Sequence, residues 1–364
     1  MRVHPKQLEP KCVLLQDIYG KGNYPIVPKK TVLSETHIDV LIRFSVLEVE
    51  VAKNLANGLT FFPQPLAEED KLPQKKTLTE QEPEPVEFTV QYQEAVSQYQ
   101  KMFTEWQSGV PLDIHAVRQL ILPLLEEAEA NQLTILLLAS RSNKSEYIYH
   151  HSIAISLLTA LLAKRLGYQK DWIQVSLAAF IADSGMAKVS PRILKKELPL
   201  TPPEKEEVEK HPTFSYRNAQ NCPSLSKAAK LGVIQHHEYL DGSGYPLGVK
   251  ADKIHPYAKM IAITDSYHAM TSERFYRHKK PFFAVIPEMR QKINHQFDPE
   301  FLNAFIQLLE ETILDQPVYL TNGQSGRVVS LSLDDHPEVL VQVHETQDVI
   351  SIADQNKVKI DYFI

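Results

Sequence analysis

Residues 236–246 read His236-His237-Glu238-Tyr239-Leu240-Asp241-Gly242-Ser243-Gly244-Tyr245-Pro246, and no other stretch constrains the chain as tightly. Adjacent histidines at a helix end can offer both imidazoles to one metal cluster. The glycines that follow accept φ > 0 and the proline fixes φ near about −65°, so the chain turns sharply straight after the pair. A fold that hosts this run needs a helix delivering the histidines and a tight loop held beside them.

The rest of the chain is of ordinary globular make-up. Its 364 residues suffice for two or three domains of about 100–200 residues each. Hydrophobic content of 43% and charged content of 23% are those of a folded protein. Net charge is −6 with histidine neutral, so no global basic field favours nucleic acid or an anionic membrane, although a basic pocket can still hold a phosphodiester. Cys12 and Cys222 stand in no metal-type spacing and read as free thiols of a reducing compartment. The start Met1-Arg2-Val3-His4-Pro5 is polar, unlike a signal peptide, and no apolar run reaches the roughly 18 residues of a membrane span. The expectation is a soluble, cytoplasmic protein with no membrane span and no nucleic-acid partner.

Four segments follow from the patterning. Residues 1–60 suggest a small α/β module: short apolar runs (Cys12 to Leu15, Pro25 to Val27), a helix capped by Ser34 and carrying Ile38, Leu41, Ile42 and Phe44, and an alternating strand from Leu47 to Val51. Residues 61–86 change to Pro63, Pro65, Pro73, Pro83 and Pro85 among Glu, Lys and Gln, which suits an exposed linker. Residues 87–316 are helical in period. Apolar positions recur at helical spacing over 112–138, and residues 153–166 are apolar on most faces, as a buried bundle helix is. Thr201-Pro202-Pro203-Glu204 forms a capping box, and further helices are expected over 225–238, 255–271, 281–294 and 299–314. Residues 317–364 switch to alternation (Arg327 to Leu331, Val339 to Val343) with Asn322-Gly323 and Asp334-Asp335 as turns, a small β unit. The fold class expected is mainly α.

Within the helical region His150-His151, Asp183, His211, His236-His237 and Asp265 recur roughly 25–30 residues apart, one helix plus a loop. A bundle brings such residues to a common level. Imidazole and carboxylate together suit Fe, Mn, Zn or Ni, and a bridging Asp can hold two ions about 3.5–4 Å apart.

From about Tyr147 to Phe305 the chain resembles the HD-GYP family of bacterial cyclic di-GMP phosphodiesterases. The His236–Pro246 run is the family's HHExxDGxGYP motif. His151-Ser152 resembles its first-helix ligand, with His150 as the alternative. Ala182-Asp183-Ser184-Gly185 falls on His-Asp-x-Gly, Glu207 with His211-Pro212 on the "E…HP" helix, Ala262 to Asp265 on the last ligand helix, and Phe297-Asp298-Pro299 on the FDP element. The resemblance implies an HD-type helical bundle and a metal set of His151, Asp183, His211, His236, His237 and Asp265, with Asp183 the catalytic carboxylate between one or two divalent ions. Its basic motif falls on Ser272 to Arg277 and implies that Arg274 and Arg277 contact substrate phosphates; a solvated basic helix end is the other reading. Tyr245, which can stack on a guanine or anchor its own loop, and Gly244 complete the implied substrate contacts.

The chain departs from this pattern at the chemistry. The HD histidine is Ala182, the lysine three residues after the Asp is Met186, and the second Asp of the last helix is His268. Lys188 is expected to point elsewhere. Tyr147 stands where three-metal members carry Glu, beside Glu146, and Phe275 replaces a proline. One ion keeps Asp183, His211, His236 and His237; the other is left with His151, Asp183 and Asp265. The resemblance therefore implies a cyclic di-GMP phosphodiesterase with impaired catalysis. The alternatives are an inactive protein that senses cyclic di-GMP or docks a diguanylate cyclase (a GGDEF protein), as a homodimer or not, and a structural regulator whose flanking modules bind other proteins.

Overall fold

The computed structural model describes residues 1–19, 25–43, 46, 48–63, 88–275, 278–334, 337–352 and 358–363. Most of the expected linker, Leu47, Phe44, Asp335 and Arg277 lie outside the described residues. The chain divides into two compact units, Met1–Glu84 and Pro85–Ile364.

The first unit is built from fragments. Strands β1 (Arg2–Val3), β2 (Ile18–Tyr19) and β3 (Pro25–Val27) precede helix α1 (Glu35–Arg43) and strand β4 (Val49–Glu50). β1 pairs antiparallel with β4, and β2 with β3. Leu14, Leu33, Leu41, Val49, Val51 and Phe61 close its small core.

The second unit opens with α2 (Phe88–Gln107), α3 (Ile114–Glu126) and α4 (Gln132–Leu136). The single helical stretch expected over 112–138 is thus broken at residues 127–131, where Glu127 ends α3 and Asn131 starts α4. Then come α5 (Tyr147–Arg165), α6 (Trp172–Ala182), α7 (Pro191–Leu194), α8 (Pro202–Val208), α9 (His211–Gln220), α10 (Lys227–Gln235), α11 (Pro256–Thr271), α12 (Phe282–Arg290) and α13 (Pro299–Ile313). The Thr201–Glu204 capping box starts α8 as expected.

Helix α5 is the axis of the bundle. Every side chain from His150 to Ala163 is buried, which is why its sequence is apolar nearly all round. It packs on α6 and α11, while α10 meets α6, α9 and α11. Two hydroxyl pairs fix these crossings: Ser156 Oγ with Ser176 Oγ at 2.7 Å and Thr159 Oγ1 with Thr264 Oγ1 at 2.7 Å. Buried hydroxyls that satisfy each other set a register that apolar packing alone leaves loose.

A five-stranded antiparallel sheet ends the unit: β5 (Pro317–Leu320), β6 (Ser325–Ser332), β7 (Glu338–Val343), β8 (Val349–Ile352) and β9 (Ile360–Phe363), in the order β8-β7-β6-β5-β9. Val318, Val328, Val339 and Val341 join the same core as the helices, so the sheet shares the bundle's hydrophobic interior. No helix among the described residues is long and apolar enough to cross a membrane.

Candidate metal centre

The donors come mostly from helix ends. His151 is the fifth residue of α5, Asp183 caps α6, His211 begins α9, His236 caps α10 with His237 next, and Asp265 sits within α11. Asp183, His211, His236 and His237 each bring one donor atom within 4.8 Å of the others, and His151, Asp183 and Asp265 do the same. Asp183 belongs to both groups. His150, the alternative on α5, faces away from them: its Nδ1 pairs with the Tyr92 hydroxyl at 2.9 Å.

Two local devices bring Asp183 to the His211 helix. The Ser215 hydroxyl donates to the Ala182 carbonyl at 2.5 Å and accepts from the Gly185 amide at 2.8 Å. A Cβ on Gly185 would stand 2.2 Å from the His211 carbonyl, so only glycine permits this approach. Nearby, the Ser190 amide donates to Glu207 at 2.8 Å, tying the loop after Asp183 to α8.

The hydrogen bonds around the imidazoles test whether a cation fits. His211 Nδ1 donates to the Val208 carbonyl and His236 Nδ1 to the Val233 carbonyl, both at 2.7 Å. A carbonyl only accepts, so in the neutral rings both Nε2 atoms carry lone pairs. Those lone pairs face each other at 3.2 Å, with Asp183 Oδ1 at 3.1 Å from one and 3.8 Å from the other. Acceptors that converge this way repel unless a cation sits among them. The backbone bonds on Nδ1 are also the ones that orient metal-binding histidines. The residues present therefore fit a divalent metal.

The second group is leaner. His151 Nε2 lies 2.8 Å from Asp265 Oδ1 and 3.3 Å from Asp183 Oδ2. Its Nδ1 meets the Tyr147 hydroxyl at 2.9 Å and His268 Nδ1 at 3.0 Å. His268, buried, thus stands behind His151 and orients it from the second rank. Ala182 is fully buried and brings no ligand atom to the group.

Charge states follow from these contacts. Burial opposes charging His151, but Asp183 and Asp265 outweigh it and hold the imidazole above its ordinary value. Burial also opposes ionising Asp183; the imidazoles of His151, His211 and His236 gathered around it outweigh that and hold its carboxyl well below the usual range. Asp265 is likewise held down, against burial, chiefly by His151. His237 is pushed far down by burial and by His236 beside it, so it is neutral at neutral pH, the form a metal requires.

A cavity of about 650 Å³ opens above the donors. His151, Asp183, His211, His237, Asp265, Tyr245 and Met186 all line it. The Tyr245 ring lies 4.7 Å from that of His237, centre to centre, at 33°. Arg274 also lines the cavity; its guanidinium stacks 4.1 Å above the Tyr147 ring and donates to the Tyr147 hydroxyl. Gly244 packs beneath the site rather than in the cavity wall, since a Cβ there would stand 2.4 Å from the His237 carbonyl and the Tyr239 nitrogen. Lys188 points elsewhere, as expected: its ammonium donates to the Trp106 carbonyl at 3.1 Å, at the end of α2.

Sequence reasoning missed the anchor of the loop. Glu238 is 2% exposed and accepts from the Leu247 amide at 2.6 Å and the Val249 amide at 3.0 Å. Gln235 adds a second tie, donating to the Lys253 carbonyl at 3.0 Å and accepting from the His255 amide at 2.9 Å. The signal was present, a carboxylate directly after the His pair, but its partners lie across the turn and leave no mark in the spacing.

A helical bundle that gathers histidines and aspartates around one shared carboxylate is the architecture of a metal-dependent phosphohydrolase domain. Residues 134–301 match the HD domain model, and this segment is an HD domain of the HD-GYP type whose HD pair reads Ala182-Asp183. A cyclic di-GMP phosphodiesterase of Pseudomonas aeruginosa is 30% identical over 229 residues, 63% of this chain and 55% of its own. One of Thermotoga maritima is 32% identical over 166 residues, 45% of each chain. A 3'3'-cGAMP-specific phosphodiesterase of Vibrio cholerae is 31% identical over 167 residues, 46% of this chain and 36% of its own. The chain thus spans about half the length of these first relatives, 55% and 45%.

Proposed function

We propose that this chain is a cytoplasmic, divalent-metal phosphodiesterase acting on cyclic di-GMP, with slower turnover than relatives that keep the HD histidine. The observation that carries this reading is Asp183, shared by both donor groups at the floor of a cavity. The relatives' printed substrates supply the choice of a cyclic dinucleotide. Divalent Fe, Mn, Zn or Ni bound there would supply Lewis acidity, activating water and offsetting phosphoryl charge. The chain's residues do the rest. Asp183 spans the two groups, His211 and His236 are held by their Nδ1 bonds, and Tyr245 offers a ring face to a base. Arg274 offers a planar donor fork to a phosphate.

A second reading is a sensor that binds cyclic di-GMP, or docks a diguanylate cyclase, without turnover. It is favoured by Ala182 and Met186, which place an alkyl and a thioether side chain where an imidazole and an ammonium are expected. Purified full chain assayed with Mn²⁺ or Fe²⁺ against cyclic di-GMP and 3′3′-cGAMP separates the two. The proposal predicts metal-dependent hydrolysis that a chelator stops and Asp183→Asn abolishes. Tight binding without hydrolysis supports the sensor. Finding neither binding nor hydrolysis overturns both the enzyme and the cyclic di-GMP sensor, and leaves only the docking of a diguanylate cyclase, which a pull-down with a purified GGDEF protein tests.

A further inference from the structure

The cavity wall holds four cationic side chains in a chain of net charge −6: Lys144, Lys195, Arg274 and Lys292. They are not equivalent. Lys144 is engaged with Glu273 at 3.7 Å, and Arg274 with Tyr147. Lys195 is exposed. Lys292 is half-buried, and among the described residues its ammonium has no carboxylate, carbonyl or ring partner.

The backbone at Lys292 is, by contrast, tightly held. Its amide donates to the Met289 carbonyl at 3.0 Å, and its carbonyl accepts from the amides of His295 at 3.2 Å and Gln296 at 2.8 Å. The same turn grips the loop after the His pair, since the Asp241 amide donates to the His295 carbonyl at 3.0 Å. A half-buried lysine on a fixed backbone, whose ammonium has no protein partner, gives up part of its hydration without compensation, and an anion in the cavity offsets that cost. A cyclic dinucleotide carries two phosphodiester anions. If one lies at the metal donors, the other needs a cation elsewhere in the wall.

We infer that Lys292 binds the second phosphodiester of a cyclic dinucleotide and sets the preference of this cavity for two-phosphate substrates over simple phosphodiesters. The inference rests on the proposed function of the same site. The test compares wild type, Lys292→Met and Lys292→Arg, in the full metal-loaded chain, on cyclic di-GMP and on bis(4-nitrophenyl) phosphate, which carries one phosphodiester. Cyclic di-GMP affinity is read by calorimetry alongside turnover, so a slow enzyme remains measurable. Losing one charge-assisted hydrogen bond weakens binding about 10-fold or more. Lys292→Met is expected to raise KM and Kd for cyclic di-GMP by that factor with kcat nearly unchanged. It should leave bis(4-nitrophenyl) phosphate unaffected, and Lys292→Arg should recover most of the loss. Unchanged cyclic di-GMP affinity in Lys292→Met overturns the inference alone, as does an equal loss on both substrates. A wild type that neither binds nor cleaves cyclic di-GMP overturns the proposed function, and the inference with it.

Discussion

The double substitution Ala182→His, Met186→Lys raises phosphodiesterase turnover about 100-fold over the unmodified chain, a rise set by the 10²–10³ cost of removing one group that stabilises transition-state charge. Ala182 directly precedes Asp183, so an imidazole there adds a nitrogen donor to the lean His151, Asp183 and Asp265 group. Met186 lines the cavity, so a lysine at that position places its ammonium where a phosphate would lie. The substitution has a cost. Ala182 is fully buried, and enlarging a packed position costs roughly 1–3 kcal/mol. The metal-free variant should therefore melt lower than wild type and recover when metal is added, because a ligand of the folded state stabilises it by mass action. Single variants should each show part of the gain. A wild-type rate already matching relatives with an intact HD pair would show that the lean group suffices and that the chain is not impaired.

Gly185→Ala lowers the thermal midpoint by about 5–10 °C, from roughly 2–3 kcal/mol of overpacking at about 2–4 °C per kcal/mol. The new Cβ would stand 2.2 Å from the His211 carbonyl and 2.7 Å from the Ser215 nitrogen, both backbone atoms that cannot rotate aside. The loop bearing Asp183 and the helix bearing His211 must then separate, so metal content falls together with stability. Thermal unfolding and elemental analysis of the variant check both effects. A midpoint within about 1 °C of wild type, with metal retained, would mean that the two segments do not depend on this approach.

Periodicity made the helical region readable because α5 and its neighbours bury so much of their surface that the apolar pattern has little freedom. The C-terminal alternation likewise announced β6 and β7; burial alternates residue by residue along β7, and along β6 only up to the register shift after Val328. Less legible was the break between α3 and α4, where apolar spacing continues although the backbone turns. The candidate donors that the fold brings together could be named from motifs because each sits in a short conspicuous string. What supports them could not. Glu238 holding two amides across a turn, His268 backing His151, and Tyr147 carrying Arg274 each join residues remote in sequence or facing across a loop. Such contacts depend on how helix ends meet, and no spacing records that. Lys292 is the extreme case: it stands 18 residues after Arg274 and 27 after Asp265, and none of the motifs named in the sequence includes it.

The central claim is that the two donor groups form one metal centre, with a full set on one side and a depleted set on the other. Titrating the metal-free chain with Mn²⁺ or Zn²⁺, and counting bound metal at each free concentration, tests it most directly. The account predicts one ion held tightly and a second held more weakly, with His236→Ala removing the tight class and Asp183→Asn weakening both. A chain that binds no metal, or whose uptake is untouched by Asp183→Asn, would contradict it.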